Sequence, residues 1–153
     1  MQDASTYLSQ SPFSAPLLDR FIRYVKTYSE SCSSQADKGI QPSTPQQKEM
    51  ASLLYSELKS AGFQDVQTTP FCYTYALVPA SPGFEKKPAI CLLAHIDTVE
   101  EVSGKDVKPI IHENYSGKPI QLPYGIILDP NSDKDLALAG EEKDTIITSD
   151  GST

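Results

Sequence analysis

The run Pro88-Ala89-Ile90-Cys91-Leu92-Leu93-Ala94-His95-Ile96-Asp97-Thr98 decides how the rest of the chain is read. It opens with small and apolar residues that do not alternate with polar ones, the pattern of a strand buried on both faces of a sheet covered by helices. It closes on two ionisable side chains two positions apart. In an extended backbone residues i and i+2 point to the same side, so His95 and Asp97 are expected to face one cavity at the carboxyl end of a central strand. Open α/β sheets place their ligands there. The pair suits a metal: one imidazole nitrogen binds the ion while a carboxylate accepts from the other and fixes the tautomer. His-x-Asp by itself is a short pattern that structural ion pairs also produce.

Around this strand, the 153 residues are enough for one domain with its own core. Hydrophobic residues make up 39% and charged residues 22%, both in the globular range, while 12 Pro and 8 Gly forecast much irregular backbone. The charge is lopsided. Residues 1–96 carry 8 acidic and 8 basic side chains, and residues 97–153 carry 12 acidic against 5 basic, which is the whole net charge of −7. That balance argues against a nucleic-acid partner and is compatible with a cation site. The three cysteines, Cys32, Cys72 and Cys91, have no metal-ligand spacing and no disulfide framework. Cys91 reads as a small core residue of the central strand. No stretch has the length and apolarity of a membrane span, and the N-terminus lacks a signal-peptide pattern, so cytoplasm is the expected location.

Residues 1–16, rich in Ser, Gln and Pro, read as a loose leader, with a domain over 17–153. A first helix carries Leu17, Leu18, Phe21, Ile22 and Val25 on one stripe. Thr44, Pro45 and Gln47 form the pattern of a capping box. The helix that follows presents Met50, Leu53, Leu54 and Leu58 and stops at Gly62. Phe63 and Val66 lead into a short strand. Phe71, Tyr73, Tyr75 and Leu77 alternate with smaller residues as a second strand, and that aromatic row is read as sheet packing. Residues 99–144, broken by Gly, Pro, Asn and Asp, are expected to be the most irregular and mobile part, with short strands. Ile146-Ile147-Thr148 reads as a strand and Ser149-Asp150-Gly151 as a turn, with no helix after it to close the sheet.

The order of these segments from Leu17 onward resembles the N-terminal part of the peptidase T family, tripeptide aminopeptidases of the di-zinc exopeptidase superfamily. The resemblance rests on Arg20-Phe21-Ile22-Arg23-Tyr24-Val25, Pro42-Ser43-Thr44-Pro45-Gln46-Gln47, Tyr75-Ala76-Leu77-Val78-Pro79-Ala80, Ala94-His95-Ile96-Asp97-Thr98, Ser103 to Tyr115, Ile127-Leu128-Asp129-Pro130 and Ile146 to Gly151. It implies an α/β fold, the N-terminal part of a zinc-exopeptidase-like catalytic domain with a central mixed sheet flanked by helices, incomplete at the C-terminus.

It also implies roles. His95 corresponds to the first zinc-binding histidine, and Asp97 to a catalytic aspartate that supports that ligand. His112 corresponds to a position that is not a ligand and reads as a loop histidine with ordinary hydrogen bonds. Two Zn²⁺ ions per complete site and a short peptide substrate with a free amino terminus are implied. The bridging aspartate, the glutamate pair (one of them the general base), a second aspartate and a distal histidine have no counterpart in this sequence. The resemblance thus covers most of the chain but about the first third of such an enzyme, and implies that the chain alone is inactive. Where the family carries a glycine turn before the aromatic strand, this chain has Thr69-Pro70-Phe71-Cys72-Tyr73. Two other readings stand beside it: a related di-zinc deacylase or carboxypeptidase, and a truncated, non-catalytic interaction module. The Ser103 to Tyr115 stretch favours the peptidase T branch.

Overall fold

The computed structural model describes residues 14–152. They form two compact units, one of residues 27–104 and one combining residues 14–26 with 105–152. Helices and strands are mixed in the chain, as an α/β reading requires, but among the described residues the expected central mixed sheet is not formed. The strands make three separate two-stranded antiparallel sheets.

In the unit of residues 27–104, a one-turn helix α2 (Ser33–Ala36) precedes the long helix α3 (Gln47–Ser60). Met50, Ala51 and Gln47 are its buried residues, and Leu53, Leu54 and Leu58 are half-buried beside them. The expected capping box does not form. The Thr44 hydroxyl donates instead to the Glu30 carbonyl, and the Gln47 amide donates to Ser43 Oγ at 3.4 Å. Ser43 Oγ also accepts from the Cys32 N–H at 3.0 Å, so the capping residues serve the preceding loop. The helix end is as expected. Gly62 takes φ +82°, and the N–H groups of Gly62 and Phe63 return to the carbonyls of Lys59 (3.0 Å) and Leu58 (3.1 Å), the paired bonds of a Schellman motif.

Strands β1 (Gln64–Thr68) and β2 (Thr74–Leu77) form a hairpin. One extra residue between Gln64 and Gln67 makes a bulge in β1. The turn places Cys72 at φ +66°. Val66 and Cys72 are buried, and the Thr74 hydroxyl reaches the Ala51 carbonyl of α3 at 3.3 Å. The small-residue face therefore packs on the helix. The aromatic row of Phe71, Tyr73, Tyr75 and Leu77 lies on the open side and is exposed, the reverse of the packing expected for it.

Residues 88–97 form no strand. Ile90, Leu92 and Leu93 are 89%, 92% and 91% exposed, and Cys91 is exposed rather than in a core. A strand buried on both faces needs a ladder partner on each edge and cover on each face. Among the described residues, β2 pairs only with β1, and the other strands pair within the second unit.

That second unit contains α1 (Ser14–Lys26), which takes in the last three residues of the expected leader; residues 1–13 lie outside the described residues. Leu18, Ile22 and Val25 of its apolar stripe are half-buried, while Leu17 and Phe21 are exposed. Strand β3 (Ile110–His112) pairs with β6 (Ile146–Thr148), and β4 (Ile120–Gln121) pairs with β5 (Ile127–Leu128). Helix α4 (Lys134–Glu142) lies in the stretch expected to be irregular. The Asp133 carboxylate caps it, accepting from the N–H groups of Asp135 and Leu136, both at 3.0 Å. Tyr115, Ile120, Leu136 and Ala139 are the buried core here, with Leu122, Leu128 and Ile146 packed against them. Gly140 approaches Gly117 so closely that a Cβ on Gly140 would lie 2.4 Å from the Gly117 Cα.

Candidate functional site

Thr98 is the fixed point of the His-x-Asp segment. Its N–H donates to the Ser29 carbonyl at 3.2 Å and its carbonyl accepts from the Ser31 N–H at 2.9 Å, a parallel bridge to Glu30. The Ser31 hydroxyl adds a second bond to the same carbonyl at 3.1 Å. Further along, the Ser33 N–H donates to Glu100 Oε2 at 3.1 Å and the Gly104 N–H to Glu30 Oε2 at 3.2 Å. The Ser33 hydroxyl and N–H together hold the Glu100 carboxyl below the usual glutamate range. Ser29, at the root of this clamp, is 1% exposed. The polar loop after the first helix thus grips the chain immediately behind the candidate site. Nothing in the loop's sequence signals this, because the partners are 67 or more residues apart.

Just before the clamp, His95 Nδ1 lies 2.9 Å from the Asp97 carbonyl oxygen and 3.3 Å from Asp97 Oδ1. The two side chains meet on one side, as i and i+2 positions in an extended backbone do. They are not at the end of a buried strand: the His95 side chain is 85% exposed and that of Asp97 42%. With Nδ1 donating to these two oxygens, the lone pair of the neutral imidazole resides on Nε2. The arrangement can present one oriented imidazole nitrogen to a cation, with a carboxylate fixing the ring.

The remaining candidates take structural parts. His112 sits in β3 rather than in a loop, and its Nε2 lies 3.0 Å from Thr148 Oγ1 on the paired strand β6, an ordinary hydrogen bond. Three of the twelve acidic side chains in residues 97–153 hold turns or a helix cap. Asp133 caps α4, Asp129 Oδ1 accepts from the Asn131 N–H at 2.9 Å, and Asp150 Oδ1 accepts from the Ser152 N–H at 3.0 Å and from its hydroxyl. Among the described residues, no group of three or more His, Cys, Asp or Glu side chains is placed to hold a metal ion. None of the described helices is long and apolar enough to cross a membrane.

The chain is similar to curated proteins named peptidase T. It is 40% identical over 139 residues to those of Listeria monocytogenes serotype 4a (strain HCC23) and Listeria innocua serovar 6a, and in each case the match covers 90% of this chain and 32% of the relative. Peptidase T of Bacillus anthracis (strain A0248) gives 40% identity with the same coverage. A match over nine tenths of the chain takes in His95 and Asp97 wherever it begins. The chain spans about a third of the length of the curated relatives it matches. No protein-family model matches it.

Proposed function

We propose that this chain is the N-terminal third of a peptidase T-type aminopeptidase, an enzyme that releases the N-terminal residue of a tripeptide with zinc at its centre. The observation that carries the reading is the 40% identity running through the His95–Asp97 pair, with His95 Nδ1 set against Asp97. That contact fits a zinc ligand of the first rank: a neutral imidazole with its Nε2 lone pair directed outward. Bound zinc would supply Lewis-acid polarisation of the scissile carbonyl. His95 would hold the ion, and Asp97 would fix the ring and its tautomer. The remaining donors of a two-zinc site, and the glutamate that takes the proton from water, belong in this reading to polypeptide that this chain does not match.

One imidazole does not make a catalytic zinc site, which normally uses three protein ligands and an open position. The 153-residue chain by itself is therefore proposed to be inactive. The peptidase T names of the relatives support this reading over a deacylase or carboxypeptidase. A short peptide as substrate, no nucleic acid, and a cytoplasmic setting complete the proposal.

The test joins this chain to the part of Listeria monocytogenes peptidase T that it does not match. With Zn²⁺ or Co²⁺ supplied, the joined protein is expected to release the first residue of a tripeptide, and the 153-residue chain to release none. His95→Ala should abolish turnover, and Asp97→Asn should reduce metal affinity or turnover by roughly 10–100-fold. Full activity of the joined protein after His95→Ala would overturn the assignment of His95. Turnover by the short chain would overturn its proposed inactivity.

A further inference from the structure

We propose that Glu30 is a positioning residue for the His95 imidazole, acting through the Asp97–Thr98 peptide group. It rests on the proposed function only for the metal that the ring would meet; the positioning is a matter of hydrogen bonds inside the unit of residues 27–104. His95 Nδ1 is 2.9 Å from the Asp97 carbonyl oxygen and 3.3 Å from Asp97 Oδ1, so the peptide oxygen is the nearer acceptor. A carbonyl carries no proton, and Nδ1 is therefore the N–H of the neutral ring. The same peptide group is held on its other side, where the Thr98 N–H donates to the Ser29 carbonyl at 3.2 Å. In a planar trans peptide the N–H and C=O point in opposite directions. The Ser29 carbonyl thus fixes the direction from which the Asp97 carbonyl meets the ring.

Glu30 keeps that geometry in place. Its backbone lies opposite Thr98, with Ser29 and Ser31 bonded to the Thr98 N–H and carbonyl on either side. Its own carbonyl accepts from the Thr44 hydroxyl, which ties it to the residues ahead of α3. Its carboxylate accepts from the Gly104 N–H at 3.2 Å and from the Tyr28 hydroxyl. Residues 98–104 therefore begin and end on Glu30. The two ends also meet, since a Cβ on Gly104 would lie 3.1 Å from Thr98 Oγ1. Removing the carboxylate frees the far end of a loop whose near end carries the acceptor for His95.

The experiment reads the tautomer of the neutral ring in the 153-residue chain by long-range ¹H–¹⁵N NMR, at a pH about two units above the ordinary histidine value. The expected His95 ring is protonated on Nδ1. Glu30→Ala should lower the Nδ1–H to Nε2–H ratio about fivefold, the equilibrium worth of one lost hydrogen bond. Glu30→Gln keeps an oxygen acceptor and should restore the ratio. Ser31→Ala removes only the hydroxyl bond to the Thr98 carbonyl and should lower it about twofold. Gly140→Ala, in the other unit, is the control for lost stability alone: it should lower the melting temperature and leave the ratio unchanged. In the joined protein, Glu30→Ala should weaken zinc binding about tenfold, with recovery in Glu30→Gln.

A wild-type ring protonated on Nε2 overturns the proposal, as does a ratio that Glu30→Ala leaves unchanged. So does a Glu30→Gln chain that behaves as Glu30→Ala, since the acceptor is then not what positions the ring. A ratio that follows melting temperature across all the variants also overturns it. If Glu30→Ala does not fold, Ser31→Ala decides, and an unchanged ratio there is fatal. The tautomer needs neither metal nor turnover. Ratios that move as expected, in a chain whose joined form binds no zinc, count against the proposed function and not against Glu30.

Discussion

Asp150 is 6% exposed, and its carboxylate accepts from the Ser152 hydroxyl and N–H and lies 3.4 Å from Lys108 Nζ. The Ser152 bonds, more than Lys108, hold its carboxyl below the usual aspartate range. A depressed folded-state value means stability that is present above the unfolded aspartate value, about 3.9, and lost as pH falls through the folded one. Urea midpoints of the native chain should therefore drop as pH falls below about 4. Asp150→Asn should be less stable at neutral pH and lose less over that acid range. Identical acid profiles would show that the turn does not depend on the charge. Gly140→Ala tests packing in the same unit: a Cβ would meet Gly117 backbone at 2.4 Å, a clash no side-chain rotation relieves, and the expected cost is about 1–3 kcal/mol. His95→Ala should be nearly silent in this chain, within about 0.5 kcal/mol in urea melts, because the ring is exposed. A substitution silent for stability and fatal for turnover in the joined enzyme would separate function from folding. The His-x-Asp pair was legible in the sequence because its geometry needs only two neighbouring positions. The Thr98 clamp was not, since polar serines and a glutamate in a loop carry no register.

Among the elements, helix ends governed by glycine were readable and helix starts were not. Gly62 terminates α3 because an αL position costs glycine nothing, whereas Thr44 and Gln47 each had a competing acceptor within reach in the loop. Helix α4 is weakly marked in the sequence for a physical reason. It spans nine residues, buries only Leu136 and Ala139, and carries Gly140 near its end, so its periodicity is too brief to register. The Asp133 cap was the available signal. Lys143, which ends α4, sits at φ 57° and ψ 41°, a conformation that strains a residue with a Cβ. Lys143→Gly should therefore stabilise the chain by about 0.5–1 kcal/mol, and Lys143→Ala should not. Equal melting temperatures for the two variants would argue against αL strain. In the β1–β2 hairpin, alternation located β2 but assigned its faces backwards. Its pattern contains two apolar sets, and α3 covers the set with the smaller side chains.

Across the whole molecule, the apolar run at 88–94 has the composition of a buried strand, but a strand is a relation to neighbours, and composition does not supply them. Sequence reading places irregular backbone with short strands in residues 99–144; the structure has β3, β4 and β5 there, adds helix α4, and leaves 88–97 without helix or strand. The order of protection from exchange is expected to follow hydrogen bonding and burial, not apolarity. Amides of residues 90–96 should exchange at close to intrinsic rates despite their hydrophobic side chains. Amides of α3 near Met50 and Ala51, which have both helical bonds and buried cover, should be the slowest in their unit. In the other unit, the paired residues of β3 and β6 and the interior of α4 should be protected above the turn at 123–125, where Tyr124 stands exposed. Peptide-resolved exchange at neutral pH and micromolar concentration measures this directly. Protection of residues 90–96 at dilution, equal to that of α3, would mean that the segment pairs within a single chain. A dependence of that protection on chain concentration would mean that copies of the chain cover it.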